Sequence, residues 1–357
     1  MQIMIISLKE KRETFNNQKQ YFRIEKKGNI NMKNKLILFS SVFLLCLTAC
    51  GKTNVHHKIE DYILTTDYKD DYRILQLTDI HLGDKDNYQE HFDFMDLTIK
   101  ESNPDLIVAT GDLFTFASKT TAKRLFNYLN SKNVYWTVTF GNHDEQCYFR
   151  VDWLTSQLEK MGDKCLFVDY EDDDIQGNAN FAINLMKDGS VFEQLIVMDS
   201  NRYNFGGKGY FGYDYFKDNQ IKWYEELTNA TKAPSLMFYH IPLPEVRDAW
   251  AAAQQDKSLI MNPIDNATQG EDPCNPDYNS GFFETIHKLG YTHGMYFGHD
   301  HLNNYIVKYK GIDFGYGVKA TDRVYYGDSM LGGRTIIIHN DHSLSYEDHY
   351  HTYKEVK

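Results

Sequence analysis

Five short polar motifs, each closing or just following a run of apolar and β-branched residues, constrain this chain more than any other feature. They are Asp79-Ile80-His81, Gly111-Asp112, Gly141-Asn142-His143-Asp144, His240 and Gly298-His299-Asp300-His301. The runs before them, 72–78, 105–110, 134–140, 235–239 and 292–297, have the length and composition of buried strands. A chain built this way carries side chain after side chain to one edge of a sheet, where open α/β folds place their sites.

The residue types at that edge are metal ligands. Two divalent ions held about 3.5–4 Å apart need a bridging carboxylate, oxygen and imidazole donors on each side, and open positions for water and substrate. Asp79 and His81 lie two apart and can reach one ion from a tight loop. Asp112 follows a glycine that permits a sharp turn and is the natural bridge. Asn142, His240 and His299 offer donors for the second ion, and His301 can return to the first. Mixed nitrogen and oxygen donors favour manganese, iron or zinc over calcium. His143 follows Asn142 directly, so it cannot easily share that ion and is placed instead as a general acid. Asp144 is the expected partner that fixes the His143 tautomer. The chemistry this suggests is in-line attack on phosphorus by a metal-bridging hydroxide, with His143 protonating the leaving oxygen.

Charge limits the partners. Of 38 Lys/Arg and 50 Asp/Glu, nine and three fall in residues 1–49, which leaves 29 against 47, a net −18. Such a surface does not coat nucleic acid, which demands a positive footprint. The expected partner is a small phosphorylated substrate, with local positive charge supplied by bound ions.

The N-terminal part reads as export machinery. Residues 32–50 hold Lys33 and Lys35, an apolar stretch from Leu36 to Leu47, and the ending Leu47-Thr48-Ala49-Cys50, which resembles a bacterial lipobox. Cys50 would then carry lipid and anchor an exported, extracytoplasmic protein to the membrane. Residues 1–31 place a polar stretch ahead of Met32 and read as an over-extended start. Residues 51–70 read as a tether and 71–350 as one large domain. Cys147, Cys165 and Cys274 remain after the signal; a Cys147 to Cys165 disulfide stays open on sequence grounds.

Helix-like spacing is expected over 87–101, 119–130, 151–161 and 215–228, and further strands over 181–185 and 194–199. Residues 245–281 read as a long irregular loop of the functional kind. The alternating segment 305–348 reads as strands closing a second sheet. The fold class is therefore α/β, a sandwich of two mixed sheets flanked by helices, with the metal site at the strand C-terminal edge.

These five motifs, in this order and spacing over residues 70–345, resemble the calcineurin-like metallophosphoesterase family. The resemblance implies that Asp79, His81, Asp112 and His301 bind one metal and that Asp112, Asn142, His240 and His299 bind the other. It also implies that His143 is the substrate-facing acid and Asp144 its partner, on a β-sandwich flanked by helices. The phrases Gly141-Asn142-His143-Asp144-Glu145, His240-Ile241-Pro242-Leu243-Pro244-Glu245 and Gly298-His299-Asp300-His301 look like the branch related to small purple acid phosphatases. That branch's coloured enzymes carry a Tyr three residues after the bridging Asp, where this chain has Thr115, and lack a His at the place of His81. No tyrosinate-to-iron colour is expected.

Taken singly, Asp-x-His, Gly-Asp or a lone His carries little weight; the information lies in their order at strand ends. Arg202 and Arg247 are candidates for contacting phosphate, and the aromatic, glycine-rich segment 203–215 is either a substrate wall or ordinary packing. Two other functions stay open: a catalytically idle lipoprotein that binds metal and phosphorylated ligands, and a protein phosphatase. Turnover against retention of ligand separates the first from an enzyme.

Overall fold

In the five-residue strand Leu-Ile-Val-Ala-Thr, Leu106–Thr110, every side chain is buried, as a parallel strand covered on both faces requires. The computed structural model describes residues 57–170, 174–262 and 267–356. The export signal, the lipobox Cys50 and the reading of residues 1–31 lie outside the described residues.

Among the described residues the strands are, in chain order, β1 (Ile63–Asp67), β2 (Tyr72–Leu77), β3 (Leu106–Thr110), β4 (Tyr135–Thr139), β5 (Phe181–Lys187), β6 (Ser190–Val197), β7 (Tyr203–Phe205), β8 (Phe211–Tyr213), β9 (Ser235–Phe238), β10 (Thr292–Phe297), β11 (Ile306–Tyr309), β12 (Ile312–Tyr316), β13 (Gly332–Ile338) and β14 (Leu344–Tyr350). They form a seven-stranded sheet in the order β1-β5-β6-β9-β10-β12-β11, a five-stranded sheet in the order β14-β13-β2-β3-β4, and the separate hairpin β7-β8. The two large sheets face each other over a continuous core, and helices cover their outer faces: Tyr88–Ser102 buries Phe94, Met95 and Thr98. Strands β2, β3 and β4 run parallel, as do β6, β9 and β10, so both sheets present their C-terminal ends along a shared edge.

Three expectations need correction. The tether is shorter than 51–70, because Ile63–Asp67 forms β1, paired in parallel with β5 from Ile63 opposite Ala182 to Asp67 opposite Met186. Its polar composition suits an edge strand and masked it. The segment 305–348 serves both sheets: β11 and β12 extend the seven-stranded sheet, and only β13 and β14 join the five-stranded one. The supposed loop 245–281 opens with the helix Val246–Gln255, whose buried face is Val246, Ala249 and Ala253, a spacing whose small alanines gave little apolar signal.

One buried charge ties the sheets at the far end of this edge. Arg334 on β13 is fully buried, pairs with Asp348 on β14 (Nε to Oδ1 2.5 Å), and donates to the carbonyls of Asn304 (2.6 Å) and Tyr316. Burial alone would raise the Asp348 carboxyl, but the Arg334 charge outweighs it and holds it below its ordinary value. Arg334→Leu leaves that carboxylate and two carbonyls stranded, so a loss of about 3–5 kcal/mol is expected, read as a lowered midpoint in chemical denaturation. An unchanged midpoint would refute it.

Candidate metal centre

Each motif residue emerges where a strand stops. Asp79 and His81 follow β2, Asp112 follows β3, Asn142 and His143 follow β4, His240 follows β9, and His299 and His301 follow β10. The backbone bends sharply there. Asp79, His81, Asp112 and His299 all have positive φ, at 53°, 52°, 49° and 80°. For residues other than glycine this region costs about 1–3 kcal/mol each and is concentrated where function demands it. Two glycines permit the close approach: a Cβ on Gly141 would strike the Asp112 carboxylate, and one on Gly298 would strike the Thr78 hydroxyl and lie 2.7 Å from Asp79 Oδ2.

The side chains converge in two groups. Asp79, His81, Asp112 and His301 offer ligand atoms within 4.8 Å of one another, as do Asp112, His240 and His299, with Asp112 common to both. All are buried. His301 Nδ1–H donates to the Tyr325 carbonyl at 2.8 Å and His240 Nδ1–H donates to the Thr110 carbonyl at 2.8 Å, so each turns Nε2 inward. His81 Nδ1 lies 2.7 Å from the Thr115 hydroxyl, and its Nε2 faces His301 Nε2 at 3.1 Å, with Asp79 Oδ1 3.3 Å from the latter. His81 Nε2 and His301 Nε2 lie 3.7 and 3.3 Å from the same carboxylate oxygen, Asp79 Oδ1, a mixed nitrogen and oxygen donor set that suits a cation.

Other buried atoms are without hydrogen-bond partners among the described residues: Asp79 Oδ1, Asn142 Oδ1, His240 Nε2 and both ring nitrogens of His299. The Asn142 amide donates instead to Tyr203 Oη at 3.0 Å, which leaves its oxygen for another use. Orphaned donors and acceptors this deep are expensive, so this set fits metal ions.

Electrostatics agree. Burial would raise the Asp112 carboxyl, yet His240 and His143 outweigh it and hold it far below the carboxylate range. The complementary shift appears in His240: burial would lower it, and Asp112, 3.2 Å away, pulls it up to about 10. His299 is driven down to about 3 by burial and then by His240. The centre thus favours positive charge, as a site for cations does.

Asp144 does not play the expected part. Its two oxygens accept from Gly141 N at 2.8 Å and Phe114 N at 3.0 Å, and His143 Nδ1 is buried without a partner. Burial and then the Asp112 charge push Asp144 up to about 8. Asp144 therefore clamps the loops after β3 and β4 together; the carboxylate and ring of adjacent residues project in different directions from the turn. His143 is partly exposed, packs edge-on against His81 at 5.0 Å between ring centroids, and is tied through its backbone N–H to Asp112 Oδ1 at 2.7 Å.

The arginines proposed for phosphate are engaged elsewhere. Arg202 pairs with Glu145, and Arg247 donates to Asn275 Oδ1 at 2.9 Å and to the Pro273 carbonyl at 2.5 Å. Sequence reading missed Lys319, whose buried ammonium donates to the Asp79 carbonyl at 2.6 Å and is lowered to about 8 by burial. It also missed Tyr325, stacked on the His301 ring at 4.2 Å. Neither stands in a motif, and both arrive from the far side of β12. Cys147 and Cys165 are free thiols, not a disulfide.

The family model for calcineurin-like phosphoesterases matches residues 72–313. A plant relative, probable inactive purple acid phosphatase 14 of Arabidopsis thaliana, is 27% identical over 340 residues, 83% of this chain and 80% of its own. Phosphatase DCR2 of Saccharomyces cerevisiae is 27% identical over 266 residues, 66% of this chain and 45% of its own. Among solved structures, a dimetal phosphatase from Danio rerio superimposes with a TM-score of 0.52 at 14% identity, covering 80% of this chain and all of that one. That last likeness concerns the fold.

Proposed function

Because the chain belongs to the calcineurin-like phosphoesterase family, we propose that it hydrolyses a phosphomonoester or phosphodiester at a two-metal centre. Asp79, His81, Asp112 and His301 hold one ion in this reading, and Asp112, Asn142, His240 and His299 hold the other. The observation that carries it is the pair of buried ligand clusters sharing Asp112, in which Asp79 Oδ1, His240 Nε2 and both His299 ring nitrogens lack hydrogen-bond partners among the described residues. Ions of manganese, iron or zinc would acidify a water and draw charge from the phosphoryl oxygens.

The chain's own residues orient and protonate. The Thr110 and Tyr325 carbonyls fix the tautomers of His240 and His301, so that both point Nε2 at the centre. Asp144 holds the loop that carries Asn142 and His143 at a set distance from Asp112. His143, open to solvent on one side, protonates the leaving oxygen.

The name of the plant relative contains the word inactive, which favours a second reading of metal and phosphate binding without turnover. Against it, six of the candidate ligands fall into two clusters that share Asp112, and the candidate acid His143 packs against one of them, His81. Hydrolysis of aryl phosphomonoesters and phosphodiesters, before and after chelation and with each metal restored, separates the two. Turnover lost with chelation and regained with one of the three metals is the expected result. Stoichiometric metal with no turnover of either ester favours the binding reading.

Localisation is part of the proposal. The Leu47-Thr48-Ala49-Cys50 string makes the protein an exported lipoprotein held at the membrane through Cys50. Lipid-modified peptide beginning at Cys50, found by mass spectrometry, is the expected observation; an unmodified Cys50 within an intact 40–60 peptide overturns it.

A further inference from the structure

One face of the hairpin β7-β8 is aromatic from root to tip. Tyr203 pairs with Tyr213 across the strands, and Phe205 with Phe211. Residues two apart on a strand share a face, so all four rings stand on one side. At the root, Tyr203 Oη accepts from the Asn142 amide at 3.0 Å, and the Tyr213 ring meets the His299 ring edge-on at 4.3 Å between centroids. At the tip, Phe205 is 66% and Phe211 71% exposed. Two residues of strand carry this row about 7 Å outward from the metal centre.

The exposure is built in. Asn204, on the opposite face, is buried, and its amide donates to the carbonyls of Gly207 and Tyr210 at 2.6 and 2.7 Å, which fixes the hairpin turn. The hairpin therefore holds two phenylalanines out in water against the hydrophobic effect. Of the four other exposed large apolar side chains among the described residues, Phe116, Tyr148, Val324 and Tyr326, three adjoin residues that touch the candidate ligands. Phe116 adjoins Thr115, which meets His81, and Val324 and Tyr326 flank Tyr325, which stacks on His301. Phe116 and Val324 sit at φ 49° and 66°, a strained backbone for such residues. Apolar surface gathered around one polar centre marks a binding surface.

We infer that this hairpin is the leaving-group subsite of the phosphoesterase, and that the substrate's alcohol carries a flat ring close to the ester oxygen. The inference rests on the function proposed above. Two exposed phenyl rings on a fixed hairpin, backed by Tyr203 and Tyr213 stacked on each other at 5.7 Å, reward a rigid planar group that stacks on them. A flexible alkyl chain would cover the same surface only by freezing its rotors.

The test compares kcat/KM for 2-phenylethyl phosphate and n-butyl phosphate, two primary alkyl esters of similar leaving-group acidity, in the metal-loaded wild type and in Phe205→Ser/Phe211→Ser. Both changes are on exposed side chains, so the fold should persist, and circular dichroism checks it. The ratio of the ring ester to the butyl ester is expected to exceed unity in the wild type and to fall about tenfold in the variant, the scale of stacking lost from such platforms. Turnover with a ratio untouched by the double change overturns the subsite alone. So does n-octyl phosphate outcompeting the ring ester in a manner that depends on both phenylalanines, which would assign the row to an acyl chain. No turnover of any ester by the metal-loaded wild type overturns the phosphoesterase reading, and the subsite falls with it.

Discussion

Asp112→Asn is expected to abolish hydrolysis and to strip the protein of at least one of its two metal ions. Asp112 is the one residue common to both ligand clusters, and it is held far below the carboxylate range by the imidazoles around it. An amide at this position keeps the volume and can still accept from the His143 backbone N–H, now 2.7 Å from Oδ1, so the loop geometry survives. What it cannot keep is the negative charge. Without it, two ions would face each other across a neutral oxygen, with Coulomb repulsion of several kcal/mol at separations near 4 Å even in a screened site. Elemental analysis of the purified variant should therefore show fewer than two ions per chain, and turnover should drop to background. Two ions retained with wild-type turnover would remove Asp112 from the centre of the mechanism.

The candidate metal centre was legible in the sequence because it is a local pattern repeated five times. A strand that must bury both faces is apolar throughout, and the residue after it must turn, so Leu-Ile-Val-Ala-Thr followed by Gly111-Asp112 announces both the strand and the candidate ligand. The sandwich of two mixed sheets followed from the same repetition, and the structure has that architecture. What stayed hidden depends on contacts between distant segments. Lys319 reaches the Asp79 carbonyl across 240 residues, and nothing in its immediate sequence marks it. β1 is polar enough to pass for a linker because it lies at a sheet edge. Asp144 was misread for a related reason: adjacency in sequence to His143 suggested a contact, but the turn sends its carboxylate back to the Gly141 and Phe114 amides. Spacing predicts which residues share a loop, and only the turn itself decides which of them touch.

His143→Ala is expected to leave both ions in place and to lower turnover by about 10²–10⁴, the range for loss of a general acid. His143 belongs to neither ligand cluster, its ring is partly exposed where the ligands are buried, and its Nδ1 has no hydrogen-bond partner. Its hydrogen bond to the centre is the backbone N–H to Asp112, which alanine retains; the ring contact with His81 is lost. The size of the loss should depend on the ester. A nitrophenolate departs without a proton, so the variant should hydrolyse aryl esters at a rate close to the wild type, whereas an alkoxide needs protonation as the bond to phosphorus breaks. Plotting log kcat against leaving-group pKa should therefore give a steeper negative slope for the variant than for the wild type. A residue that only positions substrate or supports the loop would lower the rate for every ester by a similar factor and leave the slope unchanged. Parallel lines would move His143 to that lesser role, and loss of metal in the variant would move it among the ligands.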